Sequence, residues 1–339
     1  MANPERIPKI EPRCLILANP KAGRLALRES VARFTGRFTG RRSPAFETPL
    51  SFTLLAEAAG EAGVLANVEA IPPPEQLGDL IRSAEKEGYD TVVAVGGDGT
   101  VHHMAQHLVG SSLRLGILPL GTANNFARAL NIPFDLAAAL QVIAAGQERQ
   151  VDVGRIRDEY FIEGAGVGLF ADVLSALGAQ EAHRHEIFRI LSKALPIYWN
   201  PRARNLKLSL DGVTQNQEAS LVVVSNSTYL GENWPIAPDA SLEDGRFDIL
   251  VVGALTRWEL IEFVYALFRR RHLELPKVQH CLAQKIEILR VHRAHRRLPV
   301  HADDHIAGML PVRMEVVPAA LRVLAPLPQL PKADLEQSE

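Results

Sequence analysis

Apolar positions in the first half of the chain come in short runs separated by longer amphipathic stretches. Cys14 to Ala18, Val64 to Ile71, Thr91 to Val95 and Leu113 to Pro119 are aliphatic or β-branched runs of strand length. Glu75 to Gly88, Val101 to Val109, Asn125 to Leu130 and Leu136 to Ala145 space their apolar residues as helices do. Strands alternating with helices predict an α/β N-terminal domain built on a doubly wound, mostly parallel sheet. Past residue 148 the texture changes. Arg149 to Arg157, Tyr160 to Glu163, Leu206 to Leu210, Ala219 to Ser225, Phe247 to Val252, Lys285 to Val291 and Val312 to Val317 all predict strands. Only His183 to Leu195 and Arg257 to Arg271 predict helices there, so the C-terminal domain is expected to be β-rich and sandwich-like.

These patterns divide the chain into 1–148, rejoined by 312–326, then 149–311, then a Pro-rich and polar tail, 327–339. Between Gly23 and Ser51 the rhythm breaks. Arg24, Arg28, Arg33, Arg37, Arg41 and Arg42 sit among scattered Gly and Pro, which predicts a solvated surface insertion.

The 339-residue chain is long enough for two domains, and 47% hydrophobic residues exclude disorder as its main state. Its 37 Lys and Arg against 39 Asp and Glu exclude a surface built throughout to hold nucleic acid. Two cysteines, Cys14 and Cys281, cannot make a disulfide framework or a multi-cysteine zinc site. No apolar stretch is long enough to span a bilayer, and the opening residues lack the apolar core of a secretory signal. Together these features predict a cytoplasmic protein.

Chemistry concentrates in three loops at carboxyl ends of predicted strands. Thr91 to Val95 feeds Gly96-Gly97-Asp98-Gly99-Thr100 and then a helix from Val101. Glycines let a backbone approach phosphate, and a helix N-terminus offers it unpaired N–H groups. Leu113 to Pro119 leads into Gly121-Thr122-Ala123-Asn124-Asn125, again before a helix, and the first strand ends at Asn19-Pro20-Lys21-Ala22-Gly23. Open α/β sheets bind ligands at that end. Gly166-Val-Gly168-Leu-Phe-Ala171 also satisfies the dinucleotide fingerprint, but it lies mid-chain in the β-rich half without a βαβ unit behind it. Dehydrogenase is the weaker reading.

This ordered set resembles the diacylglycerol kinase catalytic-domain family, the bacterial lipid kinases related to sphingosine kinases. Its further carriers are Phe126-Ala127-Arg128, Gly164-Ala165-Gly166-Val167-Gly168, Pro238-Asp239-Ala240 and Asp244-Gly245-Arg246-Phe247-Asp248, so the likeness runs from about residue 13 to about residue 326. The resemblance implies a nucleotide-binding domain, a β-rich domain and a cleft between them, with ATP phosphorylating the hydroxyl of a lipid alcohol such as diacylglycerol. It implies nucleotide binding by Asn19, Gly96, Gly97, Asp98, Gly99, Thr100, Val101, Gly121, Thr122 and Asn124. It implies catalytic roles for Asp98, Asp303 and the residue at position 305. It also implies a structural Mg²⁺ held by Asp244 with main-chain oxygens of Ser241 and Arg246, a set a hard cation accepts. For Asp244-Gly245 an ordinary hairpin turn stands beside that reading.

Several positions depart from the family pattern. Asp303-Asp304-His305 stands where relatives carry Asp-Gly-Glu, His102 replaces an Asn, Asn125 replaces an Asp, and Ile71 falls where some relatives place a Thr. His305 in the place of the Glu base would give activity that falls below about pH 6.5 as imidazole protonates. A nucleotide-binding regulatory protein without turnover, and a kinase for a soluble substrate such as NAD, stay open as alternatives. His301, Asp303 and His305 read as a solvated His-rich turn, with transition-metal ligation as the sharper alternative. The helix around Trp258 to Arg271 places Leu260, Ile261, Val264, Leu267 and Phe268 on one side and ends in Arg269-Arg270-Arg271-His272. With Arg290, Arg293, Arg296 and Arg297 it suggests transient contact with an anionic membrane surface at most, since core packing is the commoner reason for such a helix.

Overall fold

A computed structural model describes residues 13–19, 49–172, 202–231, 233–291 and 298–328. The Arg-rich stretch 24–42, the expected helix 183–195, the segment 20–23, Arg293, Arg296, Arg297 and the tail beyond 328 lie outside the described residues. The chain forms two units, residues 1–149 with 322–339, and residues 150–321.

In the first unit, strands β1 (Arg13–Ala18), β2 (Leu65–Ala70), β3 (Thr91–Gly96) and β4 (Arg114–Pro119) form a parallel sheet in the order β2-β1-β3-β4. The end of β16 (Val312–Leu324) joins this sheet beside β4, with Val323 opposite Leu115 in parallel register. Strands β1 and β3 are buried along nearly their whole length, as the aliphatic runs require when helices cover a parallel sheet. Those helices are α1 (Pro49–Glu61), α2 (Pro74–Lys86), α3 (Asp98–Leu108), α4 (Asn125–Ala129) and α5 (Leu136–Ala145). Helix α2 turns Leu77, Ile81 and Ala84 inward at spacings of four and three, and starts on Pro74, whose fixed φ suits a first turn. Helix α5 is capped by the Asp135 carboxylate, which accepts from Ala138 N at 3.0 Å, and ends on Gly146 in the left-handed region. Cys14 is buried in β1, and burial pushes its thiol up to about 12, so it is an inert core residue.

The strand order reverses between β1 and β3. Chain direction leaves β1 for β2 on one side and returns to β3 on the other, which opens the sheet at its carboxyl edge. Asn19, the Gly96-Gly97 turn and the Gly121 loop all lie at that edge, following β1, β3 and β4 respectively.

The second unit is a two-sheet β structure. One sheet runs β12 (Val278–Ala283), β11 (Phe247–Val252), β10 (Leu221–Ser225), β7 (Gly164–Gly168), β14 (Pro299–Ala302) and β15 (His305–Met309). The other contains β8 (Arg204–Leu210), β9 (Val213–Ala219), β13 (Lys285–Arg290) and the start of β16, with β5 (Glu148–Ile156) and β6 (Glu159–Phe161). Ala165, Val167, Val222, Val224, Phe247, Ile249 and Val300 from the first sheet pack with Ile156, Phe161, Leu206, Leu208, Ile286, Ile288 and Met314 from the second. This buried layer is the core of a β-sandwich.

Helix α6 (Arg257–Phe268) covers the other face of the first sheet. Phe263 and Leu267, with Leu260 and Val264, join Leu221, Val223, Leu250 and Val252 in a separate apolar cluster. The expected one-sided grouping is corrected here: Ile261 and Phe268 point away from that cluster and are exposed. Strands β7, β9, β12, β14 and β15 were not legible as strands. In β7 alternate positions are Gly164, Gly166 and Gly168, so the buried side pattern is carried by two residues only. In β9 six of the seven residues are not buried, which removes the apolar signal altogether. Strand β7 also disposes of the dinucleotide fingerprint, since its neighbours β10 and β14 are both antiparallel to it.

Candidate functional site

The Gly-rich turn of the first unit is shaped by contact between backbones. Gly97 is the N-cap of α3, with extended dihedrals, and both Thr100 N (2.9 Å) and Val101 N (3.1 Å) donate to its carbonyl. The helix ladder therefore has no acceptor for the N–H groups of Asp98 and Gly99. A Cβ on Gly97 would stand 3.0 Å from the Gly121 Cα, and one on Gly121 would run into the Gly97 backbone. The two loops touch through their glycines, which is why neither tolerates a side chain. A Cβ on Gly96 would overlap the Thr100 side chain.

Side chains lock this arrangement. Asn124 sits at φ 51°, a left-handed conformation that Asn accepts better than most residues. Its Oδ1 accepts from Gly121 N and its Nδ2 donates to Gly121 O, both at 2.9 Å. Asp98 Oδ1 accepts from Phe126 N at 3.2 Å, tying the first turn of α3 to the first turn of α4. Asn19 N donates to Val95 O at 3.1 Å, and Asn19 Nδ2 donates to Thr100 Oγ1 at 3.2 Å. The structure thus brings together Asn19, Gly96, Gly97, Asp98, Thr100, Gly121 and Asn124. Val101 follows as a buried residue of α3, while Gly99 is half-buried and Thr122 exposed beside the turn. His102 is buried on α3, its Nε2 3.4 Å from Gln106 Nε2, Asn125 is buried at the start of α4, and Ile71 N donates to Ala18 O.

In the second unit Asp303 is an anchor. It sits in the turn between β14 and β15 at φ 46°, and its carboxylate accepts from Ile162 N (3.0 Å), Glu163 N (2.8 Å) and Gly164 N (3.1 Å). Asp303 N donates back to Gly164 O at 2.8 Å. Backbone N–H groups of the segment entering β7 use both carboxylate oxygens.

His305 lies on β15 between two acids. Its Nε2 is 3.1 Å from Glu159 Oε2, and its Nδ1 is 3.7 Å from Asp304 Oδ1. Asp304 first, then Glu159, holds its pKa up at about 9 against the opposing effect of burial. At neutral pH His305 is an imidazolium, so it carries the proton a general base would have to accept. A His305 base would lose activity below about pH 9, which corrects the expectation of a fall below about 6.5.

His301 corrects the picture of a solvated His-rich turn. It is 1% exposed on β14, with the edge of Phe170 against its ring and Gly166 opposite it on β7. Neither ring nitrogen has a hydrogen-bond partner, and burial lowers its pKa to about 4. Among the described residues no group of three or more His, Cys, Asp or Glu side chains is arranged to hold a metal ion.

Asp244 lies in the turn before β11. Its Oδ1 accepts from Arg246 N at 3.0 Å, and Ser241 Oγ accepts from Glu243 N at 3.2 Å. Asp152, buried in β5, accepts from Gly245 N (2.6 Å) and Ala319 N (2.8 Å); its pKa is raised, by burial first and then by Asp244 and Glu243. Negative charge and oxygen donors gathered at this turn fit a hard cation, which would draw on one Asp244 carboxylate, main-chain oxygens and water. Sequence pattern alone passes over Asp152 and Glu159. Asp152 did carry a signal, a lone carboxylate within the apolar run Val151-Asp152-Val153. Glu159 carried none.

An α/β unit with glycine-built loops at its switch point, followed by a β-sandwich, is the architecture of a protein that binds a phosphate-bearing ligand at the carboxyl edge of its parallel sheet. Residues 13–156 match the diacylglycerol kinase catalytic domain, and residues 180–325 match the YegS C-terminal NAD kinase beta sandwich-like domain. Diacylglycerol kinases of Staphylococcus aureus strains JH9 and Newman are each 30% identical to it over 257 residues, 74% of this chain and 80% of theirs. The chain belongs to the diacylglycerol kinase catalytic-domain family and is a phosphotransferase of that family. A crystal structure of a diacylglycerol kinase from Bacillus anthracis strain Sterne has the same fold, with TM-score 0.63 and 21% identity over 94% of this chain and 97% of that one. A second crystal structure from that strain gives TM-score 0.70 over 96% and 99% of the two chains, also at 21% identity.

Proposed function

We propose that this protein transfers the γ-phosphate of ATP to the hydroxyl of diacylglycerol or a similar lipid alcohol. The observation that carries the reading is the pair of touching loops, Gly97 against Gly121, at the start of α3, where a helix N-terminus directs its first-turn N–H groups toward a phosphate. Likeness to the Staphylococcus aureus diacylglycerol kinases supports the lipid acceptor. Asn19, Thr100 and Thr122 add polar groups around those amides, and Asp98 holds the two helix starts in place. Bound Mg²⁺ at the 241–246 turn would neutralise the carboxylates there, with Asp244 and the main-chain oxygens of Ser241 and Arg246 as its ligands. Phosphoryl transfer rests mainly on positioning and charge neutralisation. An imidazolium at position 305 suits the second of these better than it suits proton removal.

The test is transfer of labelled γ-phosphate from ATP and Mg²⁺ into a lipid panel. Incorporation into diacylglycerol that is lost in Asp98→Ala supports the reading, whereas no incorporation into any lipid refutes it. The protonated His305 favours one rival, a nucleotide-binding protein without turnover. That rival predicts ATP binding with no phosphate transfer to any acceptor. Phosphorylation of NAD without a lipid product identifies a soluble-substrate kinase instead.

A further inference from the structure

We infer that the outer face of α6 docks the protein on an anionic lipid bilayer. Trp258, Ile261, Tyr265 and Phe268 follow one another at spacings of three, four and three residues, which places them on one stripe of the helix. Trp258, Tyr265 and Phe268 are 64–66% exposed and Ile261 is 46% exposed. The opposite face, Phe263 and Leu267, is already buried in the apolar cluster over β10 and β11. The helix is thus apolar on two sides, and among the described residues the apolar cluster takes up one of them.

Helix α6 is held rigidly enough to present that stripe. Thr256 and Glu259 form a capping box at its start, Glu259 N donating to Thr256 Oγ1 and Thr256 N to Glu259 Oε2, and Lys277 Nζ bonds Glu259 at 2.9 Å. Phe268 continues the aromatic surface by an edge contact with Trp234, 6.4 Å between centroids.

Charge and residue type select the occupant. Arg257 lies beside the Trp258 ring at one end, and Arg269, Arg270 and Arg271 follow the other end. Arg271 is paired with Glu274 and Arg270 donates to the Tyr229 hydroxyl, while the exposed acid Glu262 lies beside the stripe. Trp and Tyr rings with Arg at the margins suit a headgroup boundary that is negatively charged. Four side chains from one helix also fall well short of the ~20–30 residues a side that a stable protein interface uses, which argues against a second copy. Membrane docking deepens the lipid-kinase reading, but its test does not depend on turnover.

The test is co-sedimentation, without ATP, with vesicles of phosphatidylcholine alone or containing phosphatidylglycerol. The wild-type protein is expected to pellet with the anionic vesicles and to release as salt rises. Trp258→Ser/Phe268→Ser is expected to bind them at least tenfold more weakly while circular dichroism and thermal unfolding stay unchanged, since both positions are exposed. Wild-type protein left in the supernatant, or a variant that pellets as well as wild type, overturns the inference. So does a dimer in size-exclusion chromatography that the variant converts to monomer, because the stripe is then an interface between copies. Should the wild type bind vesicles and transfer no phosphate, docking stands and the kinase reading fails.

Discussion

Asp303→Asn separates anchoring from catalysis. The wild-type carboxylate accepts three backbone N–H groups from residues 162 to 164, at 2.8–3.1 Å, in a turn that is 8% exposed. Asparagine tolerates the φ of 46° and has nearly the same shape, so the backbone need not move. Its single carbonyl oxygen can keep Glu163 N and Gly164 N, but its NH₂ group then faces Ile162 N, donor against donor. Hydrogen bonds to charged groups contribute roughly 1.5–3 kcal/mol each, and a buried orphaned donor costs about 1–3 kcal/mol. Losing one bond outright and the charge assistance of the other two gives a destabilisation of about 2–4 kcal/mol. With a urea slope of about 2 kcal/mol/M, mid-range for a small domain, the unfolding midpoint should fall by about 1–2 M. All three tryptophans lie in residues 150–321, so their fluorescence reports on the unit that contains Asp303. A midpoint unchanged within about 0.2 M, with turnover abolished, would refute the anchoring argument and return Asp303 to a purely catalytic role.

Three further outcomes follow from the geometry. Gly121→Ala should abolish nucleotide binding, read by isothermal titration, because its Cβ collides with the Gly97 backbone and parts the two loops; retained ATP affinity would contradict the contact. The His305 imidazole should titrate near pH 9 by NMR, and this raised pKa stabilises the fold fully below about pH 6.5 and is lost as pH rises through about 9. In Glu159→Gln the midpoint should drop, and an unchanged midpoint would remove Glu159 as a cause. His301→Leu should raise stability by roughly 1 kcal/mol at neutral pH, since it removes a buried imidazole with no partner. Because the folded pKa of His301 is depressed to about 4, wild-type stability should also decline as pH falls from about 6.5 towards 4, a slope the Leu variant lacks.

Much of the nucleotide loop was legible before any coordinates. The Gly96 to Thr100 turn follows an apolar strand and opens a helix, and local chain stiffness alone then exposes amides at a helix start. Helix α3 begins at Asp98, three residues before the spacing predicted, because the apolar pattern starts only at Val101 while the turn itself is already helical. Residues 241–246 were legible as a turn, but the carboxylate of Asp152 bracing them comes from a strand about 90 positions earlier.

The division between what sequence determined and what tertiary structure decided follows interaction range. Strand and helix alternation in the first half and the switch to a β-rich texture in the second are consequences of neighbouring residues, so the chain determined them by itself. The roles of individual polar groups are not local. Asp303 becomes an anchor because amides 139 to 141 residues away converge on it, and His305, whose pKa its neighbour Asp304 already raises most, is raised further because Glu159, 146 residues away, reaches its ring. Helix α6 is apolar around most of its circumference, so spacing alone could not say which stripe the sheet would bury. Only packing against β10 and β11 decided that Phe263 and Leu267 turn inward and that Trp258, Ile261, Tyr265 and Phe268 stay outside, because burial is fixed by the partner surface and not by the helix.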